Sequence, residues 1–279
     1  MKVSVIAPIY NVAPYISDCI QSLKAQTFTD FEVLFVDDHG SDNSIQVAHD
    51  AVGEDSRFRF LSTPTNSGPG VARNVGIEAA QGDLVAFIDS DDLWEPDFLD
   101  LMVQKAYSNG TALDLTYCQL QYRGGAQDGQ VHHNPVLETG FFSPSRKKDF
   151  LRHFVTFSVC FLFRREFLME NGLRFPGLRN SEDTHFLTRC LLLAQTIGCV
   201  DLPLYIYCIR EESLSTTRDW RKYKQRLAAV GNLKQSYQSL CQDRRYDALQ
   251  LSQYRGVMQL IYLKKGYAQA LLDILKNIF

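Results

Sequence analysis

The chain has 279 residues, 45% of them hydrophobic and 22% charged, and a formal net charge of −3. Such a length suits one large domain, or one domain with a smaller attachment, and the composition is ordinary for a soluble globular protein. No apolar window reaches the roughly 18 residues of a transmembrane helix, and Lys2 leads straight into a strand-like run, so neither a membrane span nor a signal peptide is expected.

Residues 3–8 are almost wholly apolar, as in a strand buried on both faces of a parallel sheet. Residues 14–25 carry Tyr15, Ile16, Cys19, Ile20 and Leu23 at helical spacing. A second strand over 31–36 ends at Asp37 and Asp38, and a helix over 42–51 follows an Asp/Ser cap region. A third strand at 58–61, a Gly-rich loop, a helix over 71–80 and a fourth strand at 84–88 come next. This β-α-β-α-β-α-β order is that of a doubly wound α/β sheet. Further on, the pattern predicts a helix ending at Tyr107, a strand over 115–122 and a Gly/Gln/His-rich loop over 123–138. Helical residues 150–156, a strand over 159–163 and a short helix over 165–171, closed by Gly172, follow. Residues 190–209 are broken by Gln195, Asp201 and Pro203, so they read as the end of a helix over 182–193 followed by a strand at 205–209. From Asp219 the periodicity is helical, with Trp220, Tyr223, Leu227 and Val230 on one stripe.

Charge is unevenly spread. Residues 216–279 hold 12 Lys+Arg against 4 Asp+Glu, a net of +8, which leaves −11 for residues 1–215. An acidic body of 1–215, with halves 1–110 and 111–215, thus carries a basic helical extension. That extension could meet an anionic membrane surface, pack on the body, or join two subunits as a homodimer. The seven cysteines are scattered without a Cys-x-x-Cys pair, so a zinc site is not expected, and reduced core thiols of a cytoplasmic protein are.

Several constellations could carry chemistry. Residues 87–92, Phe-Ile-Asp-Ser-Asp-Asp, end an apolar strand on three carboxylates. Acidic groups so close repel one another unless a cation neutralises them. A Mg²⁺ or Mn²⁺ ion shared with a diphosphate would do so; a solvated strand end before a helix cap is the bland alternative. Asp37 and Asp38 also end a strand, the edge at which open α/β sheets bind ligands. They could accept from a nucleobase or a ribose, or cap the following turn. In the loop 66–76, Gly68 and Gly70 permit close approach of a ligand, and Arg73 could hold a phosphate or carboxylate; a plain structural loop remains open. Ser181-Glu182-Asp183 opens a helix, where a carboxylate stays ionised and could serve as general base, or could merely complement the helix dipole. Arg210 and Ser213 could approach a diphosphate or lie on an ordinary strand end. His132, His133 and His185 lack metal-ligand spacing and read as structural or solvated.

Taken together these residues resemble glycosyltransferase family 2, the inverting nucleotide-sugar transferases of the GT-A fold. The pieces occur in the family's order. They are Val-Ser-Val-Ile-Ala-Pro-Ile-Tyr-Asn at 3–11, Gln-Thr-Phe-Thr-Asp-Phe-Glu-Val at 26–33, and Val-Asp-Asp-His-Gly-Ser-Asp at 36–42. The 66–76 loop, Gly82-Asp83, the 89–92 cluster, Leu162-Phe-Arg-Arg165, Gly172-Leu-Arg-Phe-Pro176 and Glu182-Asp183 follow. The match covers residues 3 to about 215, and its later elements look most like bacterial enzymes of lipopolysaccharide or capsule synthesis. The resemblance implies a Rossmann-like mixed sheet flanked by helices, a UDP-sugar donor, Mn²⁺ or Mg²⁺, and a glycan or lipid-linked saccharide acceptor, with no nucleic acid.

It also implies roles. Pro8, Tyr10 and Asp38 would line the nucleobase pocket, and Asn66 and Arg73 would meet the nucleotide from the Gly-rich loop. Asp89 and Ser90 would reach the ribose or sugar, and Asp91, with Asp89, would bind the metal. Asp92 would cap the turn before Pro96, Asp183 would be the catalytic base, and Arg210 would approach the phosphates. Two positions depart from the pattern. His39 stands where many members have Gly, with little effect expected on the turn, and Cys208 stands where a second Arg is frequent. A sugar nucleotidyltransferase would need a Gly-rich basic loop after the first strand, which is missing. A non-catalytic nucleotide-sugar-binding module could dispense with Asp183.

Overall fold

A computed structural model of the chain describes residues 3–153, 157–177 and 182–210. Ser213 and the expected basic segment 216–279, with its membrane, subunit or domain contacts, lie outside the described residues.

The first half follows the expected alternation. β1 (Val3–Ile9), β2 (Phe31–Asp37), β3 (Phe58–Ser62) and β4 (Leu84–Phe87) run parallel in the order β3-β2-β1-β4. Between them stand α1 (Ile16–Lys24), α2 (Ser44–Val52) and α3 (Pro69–Ala79). β1 is buried on both sides because α3 lies across β1, β2 and β3 and strands pair on each edge. α1 buries Ile16, Cys19, Ile20 and Leu23, one face of a 3.6-residue helix. Strand order reverses between β1 and β4, and such a switch point opens a crevice at the strands' carboxyl ends.

The second half turns the sheet into a mixed one. After β5 (Leu93–Trp94) and α4 (Phe98–Ala106) come β6 (Leu115–Arg123), β7 (Val131–His132) and β8 (Gly140–Phe141). α5 (Pro144–His153), β9 (Phe161–Arg164), α6 (Arg165–Glu170), α7 (Glu182–Leu193) and β10 (Thr196–Cys208) complete the described chain. β9 runs antiparallel between β4 and β6, while β10 runs parallel to β6, so β4, β6 and β10 end at one edge. Phe87 of β4, Phe163 of β9, Phe175 and Phe186 of α7 form one aromatic cluster, with the Phe175 and Phe186 rings stacked at 3.9 Å. Each such pair adds about 0.5–1.5 kcal/mol beyond its buried area, which seats α7 against the end of β4.

Two expectations about elements change. β10 begins at Thr196, not 205. Asp201 and Leu202 are exposed, and the pairing with β6 slips on both sides of Pro203, so the polar and proline residues mark a bulge within one strand. The 159–163 strand starts at Phe161, because Ser158–Cys160 make a 3₁₀ turn. Among the described residues no helix is long and apolar enough to cross a membrane. The six cysteines there are free, five of them buried.

Candidate active site

The crevice at the carboxyl ends of β1 and β4 collects most of the candidates, and Arg73 is its hub. Arg73 lies one turn into α3 and is only 2% exposed. Its Nη2 donates to Asp89 Oδ1 at 2.6 Å, and its Nη1 donates to Asp183 Oδ1 at 3.1 Å and Glu182 Oε1 at 3.3 Å. The guanidinium also lies 5.2 Å from the centroid of the Phe175 ring. Gly70 permits this convergence, because a Cβ there would stand 3.1 Å from Glu182 Cγ. Asn74 pins the facing segment by exchanging two hydrogen bonds with the Phe175 backbone. Arg73 ties the end of β4 to the start of α7.

The carboxylates around it differ in environment. Burial alone would lower the Arg73 pKa, but Asp183, Asp89 and Glu182 outweigh it, so the guanidinium stays charged. Burial, then Asp183, pushes Glu182 up from 4.5 to about 7 against the pull of Arg73. Asp183 is also raised, by burial and by Asp89, with Arg73 and the Ser158 hydroxyl opposing. Ser158 Oγ donates to Asp183 Oδ1 at 2.9 Å. The Asp183 side chain is 25% exposed and that of Glu182 10%. Asp183 is thus the more exposed of the two carboxylates, fixed by two donors and with its pKa raised by burial; an exposed, positioned carboxylate of this kind is what a general base requires.

The 89–92 cluster is divided among four tasks. Asp89 meets Arg73. Ser90 is buried and donates to Pro8 O at 2.7 Å, strapping the ends of β4 and β1 together. Asp91 Oδ2 pairs with the Arg210 guanidinium, which lies over the Tyr15 ring at 4.9 Å. Asp92 corrects the expectation of a cap. It is buried, its Oδ2 accepts from Tyr205 Oη at 2.6 Å, and its Oδ1 accepts from the Cys208 amide at 2.8 Å. Tyr205 Oη in turn accepts from the Asp89 amide at 3.3 Å. Asp92 is therefore a strut that holds the end of β10 against the acidic turn. Asp97, not Asp92, stands at the N-terminus of α4.

On the β2 side, Asp38 is 2% exposed and holds the loop that leads into α3. Its Oδ1 accepts from Thr63 Oγ1 and the Ser67 amide at 2.8 Å each, and its Oδ2 from the Gly68 amide at 2.7 Å. A nucleobase could use only the remaining lone pair. Asn66 lies half-buried in this loop, Pro8 is half-buried, and Tyr10 is 46% exposed at the end of β1. His39 does take the left-handed conformation that suits Gly, at φ +56°. Its amide donates to Asp37 Oδ1, and its Nε2 meets Thr63 O at 2.6 Å.

The implied metal can be tested against the donor set. Among the described residues no three His, Cys, Asp or Glu side chains converge on a metal position. Asp89 and Asp91 each already draw in a cationic arginine. One or two carboxylates, completed by substrate phosphates, are what Mg²⁺ commonly uses. The residues fit an ion shared with a diphosphate, not an all-protein cage.

Sequence reasoning did not find Ser158, Tyr205 or the support given by Glu182. Ser158 sits at a predicted strand boundary without any pattern. Tyr205 carried a usable signal, a phenol in an otherwise apolar strand, since a buried hydroxyl needs a partner.

The family profile described as "Glycosyl transferase family 2" matches residues 4–172. The chain belongs to this family. Among its relatives, EpsH of Bacillus subtilis (strain 168), named provisionally as a glycosyltransferase, is 33% identical over 221 residues, 76% of this chain and 62% of EpsH. TarS of Staphylococcus aureus, a poly(ribitol-phosphate) beta-N-acetylglucosaminyltransferase, is 31% identical over 216 residues, 76% of this chain and 36% of TarS. The chain therefore spans less than two thirds of these relatives. The crystal structure of TarS 1–349 with UDP-GlcNAc superimposes with a TM-score of 0.69 at 23% identity, covering 94% of this chain and 82% of that one. The family 2 chain thus shares the fold of that nucleotide-sugar-bound structure, the mixed sheet flanked by helices expected from its sequence.

Proposed function

We propose that the chain is an inverting, metal-assisted glycosyltransferase. It moves a hexose or N-acetylhexosamine from a UDP-sugar to a hydroxyl of a glycan or lipid-linked saccharide in bacterial surface polysaccharide synthesis. The observation that carries the reading is the convergence of Asp89, Glu182 and a partly exposed Asp183 on the buried Arg73. A mere nucleotide-sugar-binding module would have no use for a tuned, positioned carboxylate.

Asp183 takes the proton from the acceptor hydroxyl as that oxygen attacks the anomeric carbon, and the nucleoside diphosphate leaves from the opposite face. Arg73 and Ser158 hold the Asp183 carboxylate in line. Arg210, freed from Asp91, meets the phosphates, and Tyr10 and Pro8 flank the base. Asp91 and Asp89 would hold Mn²⁺ or Mg²⁺, which as a Lewis acid neutralises charge on the leaving diphosphate. Support for the donor comes from the TarS complex with UDP-GlcNAc, and for the ion from a Pyrobaculum calidifontis mannosyltransferase in complex with GDP-Man and Mn²⁺, TM-score 0.62 at 16% identity. Relatives that include a teichuronic acid glycosyltransferase and TarS support a cell-surface glycan as product.

The test is UDP release from UDP-Glc, UDP-Gal, UDP-GlcNAc and UDP-GalNAc, with Mn²⁺ and with EDTA. One donor should be turned over, and Asp183→Asn should abolish turnover while UDP still binds. Near wild-type turnover by that variant would remove Asp183 from the role of base.

A further inference from the structure

Arg73 belongs to two parts of the proposed site at once. Its Nη2 is held by Asp89, on the turn that would carry the ion, and its Nη1 by Asp183 and Glu182 at the start of α7. Each terminal nitrogen serves one side, and a single planar guanidinium joins the two. The side chain is 3% exposed, so water cannot replace a partner that leaves. Nε is buried and has no hydrogen-bond partner among the described residues, so the fork is not pinned at its stem. The Phe175 ring, 5.2 Å away, supports its face without fixing its in-plane direction.

The three carboxylates are not held equally. Asp89 stands at 2.6 Å, Asp183 at 3.1 Å and Glu182 at 3.3 Å, and the last two are long for charge-assisted bonds. Asp89 is also the most accessible, with 36% of its side chain exposed against 25% for Asp183 and 10% for Glu182. It is therefore the partner that a ligand arriving in the crevice can take. A ligand shifts an equilibrium only through a difference in its interaction with the two arrangements. A divalent cation on Asp89 has such a difference, because it competes for that carboxylate and repels the guanidinium beside it. Asp183 and Glu182 are the anions left to receive the arginine.

We propose that Arg73 is a positioning residue that couples loading of the donor site to the setting of the base. When an ion and a nucleoside diphosphate occupy the Asp89 turn, the guanidinium shifts its hold from Asp89 to Asp183 and Glu182. The base is then held most firmly when a donor is in place. Such coupling is reciprocal, so whatever strengthens the grip of α7 on Arg73 favours binding at Asp89 by the same factor. The inference rests on the glycosyltransferase reading above, since it takes the Asp89 turn as the donor's.

Amide NMR on the wild-type protein, titrated with Mg²⁺ and UDP while calorimetry follows binding, tests it. The Glu182 and Asp183 amide signals should move in step with that of Asp89 as the site fills. Binding that leaves the α7 signals in place overturns the proposal. Absence of binding overturns it together with the donor reading on which it stands, and calorimetry tells the two failures apart. A double-mutant cycle reads the same coupling as an affinity. With UDP saturating, Asp183→Asn should weaken Mg²⁺ binding, because the arginine then stays on Asp89. Arg73→Lys keeps the charge and loses the fork. The weakening should be about fivefold greater in the parent chain than in Arg73→Lys. Equal weakening in both backgrounds would be the direct field of Asp183 and would overturn the proposal.

Discussion

Replacing Glu182 with Gln should stabilise the protein above neutral pH, although it removes a partner of a buried arginine. The Glu182 carboxyl rises from 4.5 to about 7 because burial and Asp183 outweigh Arg73. A carboxyl with a raised folded pKa binds its proton more tightly in the folded chain than in the unfolded one. Its contribution is therefore full below about pH 4.5 and is lost as pH climbs through about 7. Each pH unit in that window corresponds to ~1.4 kcal/mol, so by about pH 8 the wild type has given up on the order of 3 kcal/mol. Gln keeps the shape and never ionises, so it avoids this loss, and the attraction of Arg73 is already contained in the value of 7. Urea unfolding without nucleotide, in EDTA, should show nearly equal stabilities at about pH 5 and a Gln variant more stable by about 3 kcal/mol at about pH 8. A Gln variant less stable at the higher pH, or a difference independent of pH, would refute the assignment of Glu182 as a buried, repelled carboxyl.

Arg210→Gln should tighten Mn²⁺ binding to the nucleotide-free protein, because the guanidinium no longer occupies Asp91, and should weaken UDP binding. Each change is about tenfold for one charge-assisted contact, and calorimetry that finds both affinities weakened would mean a purely structural arginine. Tyr205→Phe leaves Asp92 Oδ2 without its 2.6 Å donor, which should cost about 1–3 kcal/mol in chemical denaturation; unaltered stability would remove Asp92 from the role of strut. Gly76→Ala places a Cβ 2.3 Å from Ile6 Cγ2, so a loss of about 1–3 kcal/mol is expected. In a double-mutant cycle with Ile6→Ala, which removes both γ carbons, the two losses should be less than additive, and full additivity would locate the strain elsewhere.

The parallel half of the sheet was legible because each strand is a short apolar run and each helix shows its 3.6-residue face, as Ile16, Cys19, Ile20 and Leu23 do. The acidic strand ends were legible for the same reason, since the apolar runs that stop near Asp37 and Asp89 mark the carboxyl ends of β2 and β4. The β10 strand was half hidden, because Asp201 and Pro203 look like a boundary when neighbours across the sheet are unknown. α5 starts at Pro144, six residues before the apolar signal at Phe150, because its first turns are basic and polar. Arg73, Asp89, Glu182 and Asp183 were each singled out, but not as partners of one another. Residue type shows that an arginine will pair with anions; only the fold shows that the anions are three carboxylates of the chain itself. Asp92 was misread likewise, since a third acid in a row looks like solvated surplus until Tyr205 closes over it.

Arg73 and its partners on α7 are separated by 109 and 110 residues of chain. Contacts so distant in sequence form late in folding. On a ribosome adding about 5–20 residues per second, the guanidinium emerges roughly 5–20 s before Glu182 and Asp183 exist. Through that interval the nascent nucleotide half holds Asp89 alone against a cation meant for three anions. The crevice side of the Arg73 cluster is thus synthesised first and its α7 side last, so a chain cut before α7 would carry a buried arginine short of two of its three carboxylates.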